Sequence, residues 1–174
     1  FDNNSLLSDS EAGLYINTNG AVVMNQVYAG NNSTGSGAVI HNNSSASASN
    51  VTILYGDFSN NGKHGLQVLS KGVITATLTD YNLNGNGNSG LYLNNTYGDG
   101  SSAISAKAVT VDGGNYYSNN SYGIYVLSYG VVTVKNVRVG DTQNGTGMYI
   151  SNAGSPTKAG ITVTTTRSGW INQF

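Results

Sequence analysis

The sequence predicts an all-β protein: a right-handed, single-stranded parallel β-helix of about six coils with three short strands per coil. Three observations carry this. A Gly followed by an apolar–other–apolar triplet recurs six times, a second such triplet follows each one, and Asn-rich turns separate successive coils. One such coil cannot bury its own apolar face. Coils of this kind stack, share one narrow core and satisfy their backbone hydrogen bonds between neighbours.

The first triplets are Gly13-Leu14-Tyr15-Ile16, Gly37-Ala38-Val39-Ile40, Gly65-Leu66-Gln67-Val68, Gly90-Leu91-Tyr92-Leu93, Gly123-Ile124-Tyr125-Val126 and Gly147-Met148-Tyr149-Ile150, with glycines 24, 28, 25, 33 and 24 residues apart. Period-2 alternation marks a strand with one buried face, and no segment shows a helical period. The second triplets read Val22-Val23-Met24, Val51-Thr52-Ile53, Ala76-Thr77-Leu78, Val109-Thr110-Val111, Val132-Thr133-Val134 and Ile161-Thr162-Val163. A weaker third strand is expected around Ala29, Phe58, Leu83, Tyr116 and Val139, each seven residues after a second triplet begins. The turns Asn31-Asn32, Asn60-Asn61-Gly62, Asn84-Gly85, Asn119-Asn120 and Asn144-Gly145 use residues that tolerate positive φ at sharp corners. An antiparallel sandwich also has short alternating strands, but it does not repeat the same residue classes at the same phase.

The 174 residues suit a single β-helix domain, taken as 1–174. Hydrophobic residues are 38% and charged residues 9%, against about 25% charged in ordinary globular chains. Disorder pairs low hydrophobicity with high net charge and few aromatics, whereas this chain has a net charge of −1 and 12 Tyr. The cations Lys63, Lys71, Lys107, Lys135, Arg138, Lys158 and Arg167 are scattered, so no basic patch marks a nucleic-acid partner. No apolar run approaches the ~18 residues of a membrane span. With no Cys, neither a disulfide nor a thiolate metal site can form, which is compatible with the expected location outside a bacterial or archaeal cell.

From each Gly to its second triplet the spacing reads 9, 14, 11, 19, 9 and 14; from that triplet to the next Gly it reads 15, 14, 14, 14 and 15. Length variation is therefore expected at one corner, in loops from His41 to Asn50, Asn94 to Ala108 and Ser151 to Gly160. Such insertions gather on one face of a solenoid, often the binding face, which makes His41, Tyr97, Asp99, Lys107 and Lys158 a candidate ligand edge. Tolerated surface insertions account for them more simply, because loop lengthening costs little. Between the inward residues of the first triplets runs an outward column, Tyr15, Val39, Gln67, Tyr92, Tyr125 and Tyr149. Its tyrosines offer a sugar platform, a lateral contact with another chain, or ordinary cross-rung stacking. The second outward column is Val23, Thr52, Thr77, Thr110, Thr133 and Thr162. A Thr array can order water, as in ice-binding solenoids, and Thr is also a common exposed strand residue.

The succession of Phe or Tyr, an Asn-Asn turn, Gly-Ile-x-Val and Val-Thr-Val, read at Tyr116, Asn119-Asn120, Gly123 to Val126 and Val132 to Val134, resembles the parallel β-helix repeat of the pectate-lyase-like superfamily. The resemblance covers nearly the whole chain. It implies the fold and leaves open a range of functions: polysaccharide lyases and hydrolases, phage tailspikes, adhesins and surface-layer repeats. The lyases typically hold Ca²⁺ on clustered carboxylates beside an Arg or Lys base, and the hydrolases use paired Asp residues. The acids here are Asp2, Asp9, Glu11, Asp57, Asp80, Asp99, Asp112 and Asp141. Asp57 and Asp80 each precede an aromatic residue, Phe58 and Tyr81, and are expected to stack one rung apart. Two carboxylates fall short of the about six to eight oxygens that Ca²⁺ takes, so turn-forming roles fit better. His41 and His64 are read as isolated loop residues. No catalytic residue, metal ligand set or cofactor is expected. Asn-x-Ser/Thr triplets begin at Asn32, Asn50, Asn94 and Asn144 and matter only in a host that glycosylates secreted chains.

Both ends fall near the repeat register, and Gly169-Trp170-Ile171 departs from it. The expectation is a segment of a longer array, or a subunit whose ends stack head to tail. The expected function is a non-enzymatic extracellular structural solenoid, a filament or sheath unit or an adhesin stalk, that partners itself head to tail or laterally. The rivals are a carbohydrate-binding module using the Tyr column and a lyase or hydrolase acting on a polysaccharide.

Overall fold

A computed structural model describes residues 12–44, 48–97 and 106–164. Among these residues it contains fourteen strands, numbered here in chain order, and no helix. β1 (Ala12–Asn17), β3 (Ser36–Asn42), β5 (Leu66–Ser70), β7 (Leu91–Asn94), β10 (Ile124–Leu127) and β13 (Met148–Ser151) stack in that order as one parallel six-stranded sheet. β2 (Val22–Tyr28), β4 (Val51–Asp57), β6 (Ile74–Thr77), β8 (Val109–Asp112), β11 (Val132–Lys135) and β14 (Ile161–Thr164) form the second. Each coil gives one strand to each sheet, so the chain is a parallel β-solenoid of about six coils, as its repeat predicts.

The third side is abbreviated. Among the described residues β9 (Asn115–Tyr117) and β12 (Arg138–Gly140) pair there as strands, Asn82 bridges to Asn115, and the ends of β2 and β4 pair past the corner, Val27 with Gly56 and Tyr28 with Asp57. Elsewhere single backbone bonds continue the ladder, Ala29 N–H to Asp57 O at 2.9 Å and Phe58 N–H to Asn82 O at 3.0 Å. In the first five coils the corner between the second sheet and the third side turns on positive-φ residues: Gln26, Tyr55, Asp80, Gly113 with Gly114, and Asn136. This is the second corner; the first joins the two large sheets, and the third returns the chain to the first sheet.

The sheet register corrects the sequence reading in one coil. β6 pairs Ile74 with Val51 and Val109, Thr75 with Thr52 and Thr110, and Ala76 with Ile53 and Val111. The second triplet is therefore Ile74-Thr75-Ala76, and Thr75, not Thr77, stands in the Thr column. The segment Ile74-Thr75-Ala76-Thr77-Leu78 alternates throughout, so a slip of two residues leaves the same apolar side chains inward. Leu78 is indeed fully buried. The two extra residues lie at the second corner, around Leu78 and Thr79, and not at the first.

The core runs between the sheets. Paired inward residues such as Ala38 and Ile40, Leu66 and Val68, Leu91 and Leu93, and Ile124 and Val126 face Val51 and Ile53, Ile74 and Ala76, Val109 and Val111, and Val132 and Val134, all fully buried. The expected third-side column, Ala29, Phe58, Leu83, Tyr116 and Val139, closes it. Burying each Leu- or Phe-sized side chain contributes roughly 1.5–3 kcal/mol. The Tyr116 hydroxyl keeps a partner inside, donating to Gly113 O at 3.1 Å, and burial pushes its phenol far above the ordinary tyrosine range.

The glycine that opens each first triplet is there for space. A Cβ on Gly65 would stand 2.5 Å from both Gly90 O and Phe58 O. Beside this column runs a buried ladder of asparagines. The Oδ1 of Asn61 accepts from Asn32 N–H and Nδ2, that of Asn86 from Asn61, and that of Asn119 from Asn86, all at 2.9–3.1 Å. The residue before each ladder Asn has positive φ: Asn31, Asn60, Gly85 and Ser118. In the next coil Asp141 keeps the positive φ, but Thr142 follows it. The sequence reading took these asparagines as turn formers and did not separate the corner residue from the buried one.

Candidate functional site

The outward Tyr column forms as expected. Tyr15 pairs with Val39, Val39 with Gln67, Gln67 with Tyr92, Tyr92 with Tyr125 and Tyr125 with Tyr149. Tyr92 and Tyr125 stack at 5.2 Å between centroids and 5° between planes, and Tyr125 and Tyr149 at 4.9 Å and 16°. These spacings match the rung repeat of ~4.8 Å, so the ring faces look along the solenoid at each other and their edges look out. Tyr122 leans on both Tyr125 and Tyr149. Burial, followed by the neighbouring Tyr149, Tyr92 and Tyr122, pushes the Tyr125 phenol up. A sugar ring stacks on an aromatic face, and both faces of Tyr125 are already covered.

Both histidines belong to this surface and are not isolated. His41 lies in β3, its ring edge-on to Tyr15 at 5.2 Å and its Nδ1 3.1 Å from the Tyr15 hydroxyl. His64 packs on Tyr92 at 5.0 Å, at the end of the stack. Its Nε2 is 3.4 Å from Asn88 Nδ2, while its buried Nδ1 meets no partner among the described residues. Burial, with the Lys63 charge adding, lowers its pKa from the ordinary 6.5 to about 4.

The structure disperses the predicted ligand edge. Tyr97 comes back to the column: burial first, then Tyr92, raises its phenol pKa. Lys107 acts through its backbone, its carbonyl accepting from Asn95 Nδ2 at 2.8 Å and Ser128 Oγ at 3.3 Å. Lys158 is exposed in a turn of the sixth coil, with φ 52°. Asp99 lies outside the described residues, as do residues 1–11 and 165–174, which carry the expected end contacts and Trp170.

With the register corrected, the first corner shows an order that the sequence reading missed. The Gly-to-triplet spacings become 9, 14, 9, 19, 9 and 14, a strict alternation of short and long. Short corners are Thr18-Asn19-Gly20, Ser70-Lys71-Gly72 and Ser128-Tyr129-Gly130, where the hydroxyl accepts from the Gly N–H at 3.0–3.1 Å. Long loops begin at Asn42, Asn95 and Asn152. Asn42 Nδ2 donates to Gly20 O at 2.8 Å, Asn95 Nδ2 to Gly72 O at 3.4 Å, and Asn152 Nδ2 to Ala159 O within its own loop.

A second tyrosine group, unanticipated in the sequence, stands at the second corner. Tyr81 lies 5.8 Å from Tyr55 and 6.2 Å from Tyr28, tilted at 45° and 58°. The hydrogen bond with Tyr28, then burial, then Tyr28 and Tyr55 again, raise the Tyr81 phenol pKa. Tyr28 and Tyr55 are 53% and 40% exposed, and their contacts with Tyr81 are tilted where those of Tyr125 with Tyr92 and Tyr149 are stacked. The pair Asp57 and Asp80 does not stack in one column. Asp57 sits on the third side, where Tyr28 pairs with it, and Asp80 occupies the positive-φ corner. Asp112 is held by two side chains of the next coil. Burial pushes its pKa up, but Asn136 Nδ2 at 2.8 Å and Lys135 Nζ at 3.1 Å outweigh that and hold it below the ordinary value.

Among the described residues no three His, Cys, Asp or Glu side chains gather as a metal-ligand group, and no helix is long and apolar enough to cross a membrane. The chain matches no family model, no curated protein and no solved structure.

Proposed function

We propose that this chain is a non-catalytic structural β-solenoid of the extracellular surface, a filament, sheath or adhesin-stalk element that associates with copies of itself, and that it belongs among the pectate-lyase-like β-helices. The observation that carries this reading is axial continuity. The Asn ladder ties the first four coils to one another and the Tyr stack ties the last three, so together they link each rung to the next. Such continuity suits a rod that bears load or spaces other parts. Tyr149 and Tyr15, 43% and 42% exposed, present edges suited to a lateral contact, where Tyr is enriched. A polar surface of Asn, Ser and Thr with few charges leaves little electrostatic repulsion between copies.

Negative-stain electron microscopy over a concentration series tests this, paired with an assay for reducing and unsaturated sugars released from pectin-like polymers. The expected result is rods that associate end to end or side by side as concentration rises, with no sugar released. Compact monomers at every concentration, or measurable sugar release, would contradict it.

A further inference from the structure

We infer a binding site for a neutral glycan on the third side of the solenoid, in the groove beside Tyr28 and Tyr81. This goes beyond a structural role and places ligand binding on a different face from the Tyr column.

The groove is an open concavity of about 500 Å³ over three rungs, lined by Tyr28, Asp57, Ser59, Asn60, Asn82 and Asn84 with the backbone between them. A second concavity of about 600 Å³, lined by Tyr55, Thr77, Thr79, Asp80 and Tyr81, adjoins the same tyrosine group. The tyrosines thus form a shared wall. Their contacts through Tyr81 are tilted, not stacked, and Tyr28 is 53% exposed, which leaves aromatic surface for a sugar ring to lie against.

The floor of the groove is held rigidly by its own ladder. Ser59 N–H donates to Asp57 Oδ1 at 3.1 Å, Asn84 N–H to Ser59 Oγ at 3.3 Å, Tyr117 N–H to Asn84 Oδ1 at 2.7 Å, and Asn115 Nδ2 to Asn82 Oδ1 at 3.0 Å. These bonds engage Oδ1 of Asp57, Asn82 and Asn84. The second polar atom of each (Oδ2 of Asp57, Nδ2 of the two asparagines) has no partner among the described residues. Amide donors and a carboxylate acceptor at fixed height, a rung of ~4.8 Å apart, match the hydroxyls along a glycan chain. Preorganised polar groups of this kind give orientation while an aromatic wall gives contact area.

The charge of the lining selects the ligand class. Asp57 in the groove and Asp80 in its neighbour are the charged side chains, both acidic, and no Lys or Arg lines either concavity. An acidic polysaccharide would meet like charge with no cation to offset it. A neutral glycan would not.

Affinity electrophoresis of the whole chain in gels containing a neutral glucan, mannan, galactan or xylan, or polygalacturonate, tests the site. Retardation by at least one neutral polymer, weakened at least tenfold by Tyr28→Ala with Tyr81→Ala and unchanged by Tyr149→Ala, is the expected result. Thermal melting of each variant confirms that it is folded. Ser59→Arg, which fills the groove from an outward position, gives an independent block and should also abolish retardation. No retardation by any neutral polymer, retardation only by polygalacturonate, or binding lost with Tyr149→Ala but kept in the groove variants, would overturn the proposal. None of these outcomes bears on self-association, which is read separately by microscopy.

Discussion

At the third corner of the coil, a positive-φ residue followed by a buried Asn recurs at Asn31-Asn32, Asn60-Asn61, Gly85-Asn86 and Ser118-Asn119. At the first corner, short hydroxyl-x-Gly turns alternate with long loops that open on Asn. Both corners satisfy backbone groups that a sharp turn leaves unpaired. The third corner does so inside the core, with bonds that pass from one coil to the next, so its length barely varies. The first corner also buries its anchors, Asn42, Ser70, Asn95 and Ser128, and Asn42 and Asn95 bond to the neighbouring coil, but the residues between anchors reach the surface, where adding more costs only loop entropy. The bonded anchors are buried at both corners; length is free only where residues between anchors are solvated.

Breaking the third corner should cost most. Asn86→Ala removes the acceptor of Asn61 N–H and Nδ2 and the donor to Asn119 Oδ1. Leaving those buried groups unsatisfied is expected to lower stability by about 3 kcal/mol, read as a fall in the urea midpoint at constant m-value.

A pH titration probes the Tyr face between these corners. His64 has a folded-state pKa of about 4 against an ordinary 6.5. The unfolded chain therefore binds the proton more tightly, and stability is full above the upper value and falls as pH drops from 6.5 towards 4. The loss is at most about 3 kcal/mol, and His64→Gln should flatten the slope in that window. Asp112, held below its ordinary value, loses its contribution at lower pH still, on protonation.

Breaking the stack is expected to cost less. Tyr125→Ala gives up two stacked ring contacts, each worth roughly 0.5–1.5 kcal/mol beyond the area buried, and the tilted one with Tyr122, and should appear as a modest drop in melting temperature. Smallest of all is the first corner. Deleting Pro156 and Thr157 from the exposed turn of the sixth coil should change stability by less than about 0.5 kcal/mol in the same melt.

The fold was legible because Gly-led triplets at a constant phase encode coil stacking directly. The Tyr column followed from the same phase. What failed was the register at Ile74, since alternation with period two cannot distinguish a strand from itself shifted by two residues. That slip hid the alternation of short and long first corners and put Thr77 in the column that Thr75 holds. The Asn ladder was half legible. Asn-Asn reads as a turn, but which Asn is inside depends on the positive φ of the one before it, a tertiary fact. The Tyr28, Tyr55 and Tyr81 group was not legible at all, because its members come from different positions of three coils and meet only at the corner.

Since the chain has no Cys, paired Thr→Cys substitutions report the register cleanly. Thr75 and Thr110 are direct neighbours on adjacent rungs, so their Cα atoms lie within disulfide reach. Thr77 is two residues further along and is out of reach of Thr110. Mild oxidation of Thr75→Cys with Thr110→Cys should close a disulfide nearly quantitatively in the folded protein, and Thr77→Cys with Thr110→Cys should not. The reverse outcome would place the extra residues back at the first corner and contradict the division into a locked corner and a variable one.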